Sequence, residues 1–183
     1  MYKICSELTI EDFVSMEKLE KLYYGDEFIT PYATSYECYL RFKHYVVAVK
    51  HNEDLVGMMC LFPVTDAIFL ALKTGDYNDA TLTPADIVIP DSSGKSLNLF
   101  LSCIVIHEAH RKGVKKLLFE RYKQIYFDYE MDQNPLSDII TDNVSEEGVL
   151  FSKRHCMTPI KTSSHSSVIC MGNAHAFLNS ACH

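Results

Sequence analysis

Residues 97–106 read LNLFLSCIVI, an almost unbroken apolar run. It falls well short of the roughly 20 apolar residues that cross a bilayer. It has the length and the β-branched and leucine content of a strand buried on both faces, which belongs at the centre of a sheet covered by helices. The next segment, HEAHRKG, is a basic turn with one glycine. Beyond it Val114, Leu117, Leu118, Tyr122 and Ile125 recur at helical spacing, leaving Lys115, Lys116, Glu120 and Lys123 for solvent. A buried strand, a basic turn and an amphipathic helix therefore form the chain's middle.

The flanks extend this pattern. Thr9 and Asp12 form a capping box for a first helix carrying Phe13, Val14, Leu19, Leu22 and Tyr23, which Gly25 stops. The tyrosine-rich stretch around Pro31 holds a second short helix before Lys43. Tyr45–Val49, the turn HNED and Leu55–Phe62 form a hairpin, with Pro63 expected to end its second strand. Residues 68–72 read as either a strand or a short helix. The whole 63–97 stretch is longer than a meander needs, and is expected to be an insertion or a lid. After MDQNP come a short strand at 137–141, a helix through NVSEEGVLFSKRH, a strand at SSVICM and a terminal helix. This order predicts one mixed α/β (α+β) domain over residues 1–183.

Composition narrows the function. With 17 basic and 24 acidic residues the formal charge is −7, without the basic excess of a nucleic-acid binder, so no nucleic-acid partner is expected. The 7 cysteines are odd in number and contain no Cys-x-x-Cys pair, which reads as reduced thiols in a cytoplasmic protein with no metal site. No signal-peptide pattern opens the chain, and no membrane association is expected.

The basic turn carries the chemistry. The first N–H groups of a helix lack intrahelical acceptors, and the helix dipole adds partial positive charge. A phosphate can accept those donors. Gly113 would allow close backbone approach, and Arg111, Lys112, Lys115 and Lys116 add charge. A solvated basic corner accounts for the same residues equally well. The turn matches neither a P-loop nor a three-glycine dinucleotide fingerprint.

The segment HRKGVK resembles the acyl-CoA-binding motif of the GNAT superfamily, the GCN5-related N-acyltransferases, which is Gln/Arg-x-x-Gly-x-Gly/Ala after a long central strand. His110 lies at the Gln/Arg position and Gly113 at the first glycine, while Lys115 replaces a small residue. SEEGVLFSKRHCM is similar to a second family segment, with Ser145, Gly148 and Phe151 at its Asn, Ala and Leu positions and Ser152 in place of its tyrosine. An ordinary amphipathic helix explains the same segment.

The resemblance implies a GNAT-like mixed central β-sheet with helices on both faces, and transfer of an acetyl group from acetyl-CoA, or another acyl-CoA, to a primary amine of a small molecule, protein or peptide. It implies cofactor contacts from Cys103, Ile104 and Val105 through backbone groups, and from His110, Arg111, Lys112, Gly113, Val114, Lys115 and Lys116. Ser152 would stand where the family protonates the leaving thiolate, and Glu108 and His107 are candidates for proton transfer, with Asp142 a further carboxylate. Glu27, Tyr32 and Tyr36 would line the amine side. The departures at Lys115 and Ser152 keep open a catalytically weak or inactive acyl-CoA-binding regulatory protein. Exposed strand edges are compatible with a homodimer.

Overall fold

The computed structural model describes residues 1–26 and 29–180. In chain order the elements are β1 (Tyr2–Ile4), α1 (Ile10–Tyr24), α2 (Tyr32–Arg41), β2 (Val46–His51), β3 (Asp54–Val64), α3 (Asp66–Thr74), β4 (Leu97–Ile106), α4 (Arg111–Met131), β5 (Leu136–Asn143), α5 (Glu146–Arg154), β6 (Met157–Thr162), β7 (Val168–Asn173) and α6 (Ala174–Asn179). The strands form one sheet in the order β1-β2-β3-β4-β5-β7-β6. The β4–β5 pair is parallel and every other neighbouring pair is antiparallel.

Helices cover both faces. Phe13, Met16 and Leu19 of α1, Cys38 and Tyr39 of α2 and Leu72 of α3 pack on one face. Val114, Leu118, Tyr122 and Ile125 of α4, with Phe177 of α6, pack on the other. The capping box at Thr9 and Asp12 forms as the sequence predicts, and Gly25 ends α1 with φ of 73°. The apolar run becomes β4 with its expected limits.

Three expectations change. Two edge strands, β1 and β6, were not legible, because each is short and β6 is largely exposed. The second hairpin strand runs through Pro63 to Val64. The proline fits because the β2 ladder has already ended at the Val46–Cys60 pair, and the Pro63 carbonyl instead accepts from Val88 N–H at 3.0 Å. Residues 63–97 hold α3 and two 3-10 turns, Asp79–Thr81 and Pro84–Asp86, and residues 68–72 are helical rather than a strand.

Two features of the central strands position the site. Cys103 pairs with Cys60 and Leu101 with Leu61, which leaves Ser102 as an unpaired bulge residue. The extra residue changes the alternation, so Phe100, Cys103 and Val105 all face α1 while Leu99 and Leu101 face α4. Opposite the bulge, at and just past the end of the β2 ladder, backbone groups of β3 are met by tyrosines of α4. Tyr122 Oη donates to Met59 O at 2.7 Å and accepts from Leu61 N–H at 3.2 Å, and Tyr126 Oη donates to Leu61 O at 2.9 Å. The second feature is a parting of strands. β4 and β5 pair as far as Phe100–Ile140 and no further, although both continue.

Candidate active site

Where β4 and β5 part, a cleft of about 640 Å³ opens. The outer half of β4, Leu101 to Ile106, forms one wall, and Thr141, Asp142 and Asn143 of β5 face it. Separation exposes backbone groups that a continued ladder would have consumed. One is already used: Tyr24 Oη on α1 donates to Ile104 O at 2.9 Å.

The two ends of the cleft differ in charge. Arg111 and Lys115 of α4 and Arg154 of α5 lie at the outer end, next to Ile106. His155 lies among them. Burial, then Lys115, then Arg154, lower its pKa to about 4, so the ring stays neutral. Its Nδ1 pairs with Ser180 Oγ at 2.6 Å, and it stacks on Phe119 with ring centroids 4.8 Å apart.

The inner end is acidic. Phe13, Met16 and Glu20 follow one another along the sheet-facing side of α1, so Glu20 enters the cleft from a position where an apolar residue is expected. Its carboxyl lies near the Cys103 thiol and the Ser102 bulge, which line the same cleft. Burial, outweighing the lowering effect of the Cys103 thiol, and then Glu17 push its pKa up to about 7. Deeper, Tyr77 packs edge-on against Phe100 at 6.1 Å and places Asp79 in the cleft wall. Burial first, then Asp142 and Glu20, hold the Asp79 carboxyl well above the usual carboxylate range. Burial raises Asp142 as well, against the opposing effects of Ser167 and His165.

No family model matches the sequence, and no curated protein matches it. Solved structures do match over nearly the whole chain. The loading GNATL domain of CurA from Lyngbya majuscula is 13% identical over 94% of this chain and 98% of its own, with a TM-score of 0.63. The PaiA N-acetyltransferase of Thermoplasma acidophilum, solved with coenzyme A, is 12% identical over 94% and 99%, with a TM-score of 0.56. A putative acetyltransferase of the GNAT family from Desulfovibrio desulfuricans is 11% identical over 94% and 99%, with a TM-score of 0.57. The chain has the GNAT fold. Identity this low speaks for the fold alone.

Within this GNAT fold the residues expected from sequence separate into those that meet at the cleft and those that do not. Cys103, Ile104, Val105, Arg111 and Lys115 line it. Lys112 and Lys116 are exposed on α4 outside the lining, and Lys116 pairs with Glu120 at 3.7 Å. Val114 is fully buried in the core, and His110 pairs through Nδ1 with Tyr2 Oη at 3.1 Å. The amides of the turn are partly used: His110 N–H donates to His107 O at 2.8 Å and Arg111 N–H to Glu108 O. Positive charge at this end therefore comes mainly from Arg111, Lys115 and Arg154.

Gly113 makes a close packing contact. A Cβ there would stand 2.6 Å from Cε2 of Tyr2, so the missing side chain admits a tyrosine ring of β1. Ser152 is fully buried and donates to Asn143 Oδ1 at 3.1 Å. It lies outside the lining. Glu108 and His107 are exposed in a 3-10 turn that leads into α4, also outside the lining. Tyr32 borders a side recess of the cleft with Glu17, Glu20 and Ser102. Tyr36 packs against Phe13 and Tyr39 and does not line the cleft, and Glu27 lies outside the described residues.

Glu20, Tyr24, Tyr77, Asp79 and Arg154 line the cleft and were not among the residues expected there. Glu20 carried a readable signal, a carboxylate within a helix stripe. Asp79 carried none, because its place depends on how residues 75–83 fold against Phe100.

Proposed function

We propose that this chain is an acyl-CoA-dependent N-acyltransferase, with acetyl-CoA as donor and a primary amine as acceptor. One observation carries the reading: a single cleft along a parted β4 edge is basic at one end and acidic at the other, where the Glu20 carboxyl has its pKa raised to about 7. The basic end fits an acyl-CoA. Arg111, Lys115 and Arg154 would hold its phosphates, and the backbone groups of Cys103 to Val105 that Tyr24 leaves unused would bind its amide-bearing arm. When bound, the group supplies an activated thioester carbonyl.

The chain's own residues must then deliver a neutral amine. Glu20 is the proton acceptor, because a carboxyl with pKa near 7 is about half ionised at neutral pH and takes a proton more readily than an ordinary glutamate. The bulge at Ser102 and the Cys103 thiol stand beside that carboxyl in the cleft. Tyr24 ties α1 to the same strand through Ile104. Among the described residues Tyr23, Tyr24 and Tyr77 line the cleft, and the reading assigns none of them as acid to the leaving thiolate. A thiol with an ordinary pKa of about 8.5 leaves without strong acid assistance.

Calorimetric titration with acetyl-CoA, followed by thiol release across a panel of primary amines, tests the reading. Saturable binding and amine-dependent thiol release are expected. Absence of binding to wild-type protein, or binding with no release for any amine, would overturn it.

A further inference from the structure

Cys60 of β3 and Cys103 of β4 stand directly opposite each other in an antiparallel pair, and both side chains face α1 within one apolar cluster. Directly opposed residues of such a pair are about 4.5–5.5 Å apart at Cα, inside the roughly 4.4–6.8 Å that a disulfide spans. Both are free thiols. Among the described residues no other two cysteines are partners across strands. The register shifts immediately beyond the pair, where Ser102 is left unpaired, so a small backbone adjustment can be taken up there.

The two thiols meet open space from different sides. Cys103 lines the cleft of about 640 Å³, while Cys60 lines the side recess of only about 20 Å³. Cys38 and Cys170, by contrast, are fully buried. The cleft has room for a molecule the size of glutathione, whereas the recess holds little more than one water. Glu20 lines both spaces and stands beside Cys103 as an acceptor for its proton. The Cys60 thiol, burial and Glu20 hold the Cys103 thiol well above the usual thiol range. The thiolate is the attacking form, so exchange at this site is slow and answers to sustained oxidation.

We propose that Cys60 and Cys103 are a redox pair, closed to a disulfide across β3 and β4 by a low-molecular-weight disulfide that enters through the cleft. Cys103 gives its proton to Glu20, and its sulfur attacks one sulfur of the incoming disulfide. The other half leaves as a thiolate and takes the proton from Glu20. Cys60 then attacks the mixed disulfide at Cys103 Sγ, and its proton goes to the second leaving thiolate. Two protein thiols are oxidised to one disulfide, and the small disulfide is reduced to two thiols. The bond itself does not rest on the acyltransferase reading. Its consequence does, because the bond draws the Cys103 sulfur toward Cys60 on the wall beside Glu20, the proton acceptor of that reading.

The test treats the folded full chain with oxidised glutathione at about pH 8, where exposed thiols begin to ionise. Remaining thiols are blocked with N-ethylmaleimide, and the protein is digested with trypsin without reductant. Cleavage after Lys50, Lys73, Lys95 and Arg111 puts Cys60 in peptide 51–73 and Cys103 in peptide 96–111, each with no other cysteine. Mass spectrometry should find these two peptides linked, and separate after dithiothreitol. The link should form more slowly than the glutathione adduct on exposed Cys156. Cys60→Ser should trap glutathione on Cys103, and Cys103→Ser should leave Cys60 unmodified, with thermal unfolding confirming that both variants fold. A glutathione adduct on Cys156 without the 51–73 to 96–111 link, or a link from Cys60 to Cys38 in its place, would overturn the proposal. Coenzyme A at saturation should slow the link several-fold by filling the cleft. A link that forms equally fast with and without coenzyme A would leave the pair standing and remove the cleft from the acyl-CoA reading.

Discussion

The ring of Tyr2 occupies the space that a side chain at Gly113 would need, with its Cε2 only 2.6 Å from where a Cβ would stand. The same ring reaches His110 through its hydroxyl at 3.1 Å, so β1 is clamped to the start of α4. A glycine whose sequence position suggests a phosphate contact thus serves a packing contact on another side of the helix from Arg111 and Lys115.

Gly113→Ala should therefore change stability more than ligand affinity. Overpacking against Tyr2 costs about 1–3 kcal/mol, partly offset by up to about 1 kcal/mol of helix propensity. Tyr2→Leu should relieve the clash in the double variant. Arg111→Ala should do the opposite, lowering coenzyme A affinity about tenfold or more with little change in unfolding. Thermal unfolding and calorimetry on the four proteins separate these outcomes. A loss of coenzyme A binding in folded Gly113→Ala, equal to that of Arg111→Ala, would contradict the packing role.

The difference between motif and structure shows what local sequence could convey. The β4 run, the α1 capping box and the α4 stripe were legible because each depends on its own residues and periodicity. The cleft was legible at its outer end, where β4 leads directly into Arg111 and Lys115. Its inner end was not. Asp79 is close in space to Glu20 and Asp142 only because Tyr77 seats on Phe100, and Ser102 turns its neighbours only because β3 and β4 pair with a one-residue mismatch. Register and loop seating are long-range results. The packing contact of Gly113 was illegible for the same reason, because its partner is Tyr2, far away in sequence.

Glu20 sets a pH dependence of both rate and stability. With its pKa raised to about 7, thiol release should rise with pH along a limb near that value. Glu20→Gln should remove the limb and lower turnover by about 10²–10⁴-fold. The stability effect has the opposite direction. A carboxyl that binds its proton more tightly when folded contributes stability that is complete below its unfolded pKa near 4.5 and is lost as pH rises through about 7. Glu20→Gln should therefore gain on wild type as pH rises, by on the order of 1–3 kcal/mol at about pH 8. Urea unfolding at about pH 5 and pH 8 measures the difference, and equal gains at both would count against the shift.

Ser152 is predicted to matter for folding and not for turnover. Its hydroxyl donates to Asn143 Oδ1, and Asn143 Nδ2 donates to Val168 O at 3.1 Å, which joins α5 to β5 and β7. Gly148 belongs to the same contact, since a Cβ there would stand 2.9 Å from Asn143 Oδ1. Ser152→Ala should cost about 1–2 kcal/mol by leaving that oxygen unmet, with kcat unchanged. Ser152→Tyr, which restores the residue of the resembled motif, should fail to fold because the site has no free volume. A drop in kcat for Ser152→Ala without loss of stability would assign the hydroxyl a part in the reaction.

His155 offers a direct probe of the basic end. Burial, Lys115 and Arg154 lower its pKa to about 4 from an ordinary 6.5. A base that is harder to protonate when folded contributes stability present above the unfolded pKa and lost as pH falls through about 4, up to on the order of 3 kcal/mol. His155→Gln should flatten that acid limb in urea unfolding between about pH 6 and pH 4. The two cationic causes also make the ring report on bound anions. Phosphates held by Lys115 and Arg154 would offset those charges, so coenzyme A should raise the His155 pKa in an NMR titration of its ring proton. Dephosphorylated pantetheine, which carries the arm without the anions, should leave it unmoved. If coenzyme A binds and the His155 pKa stays near 4, the phosphates lie elsewhere and the basic end has another use.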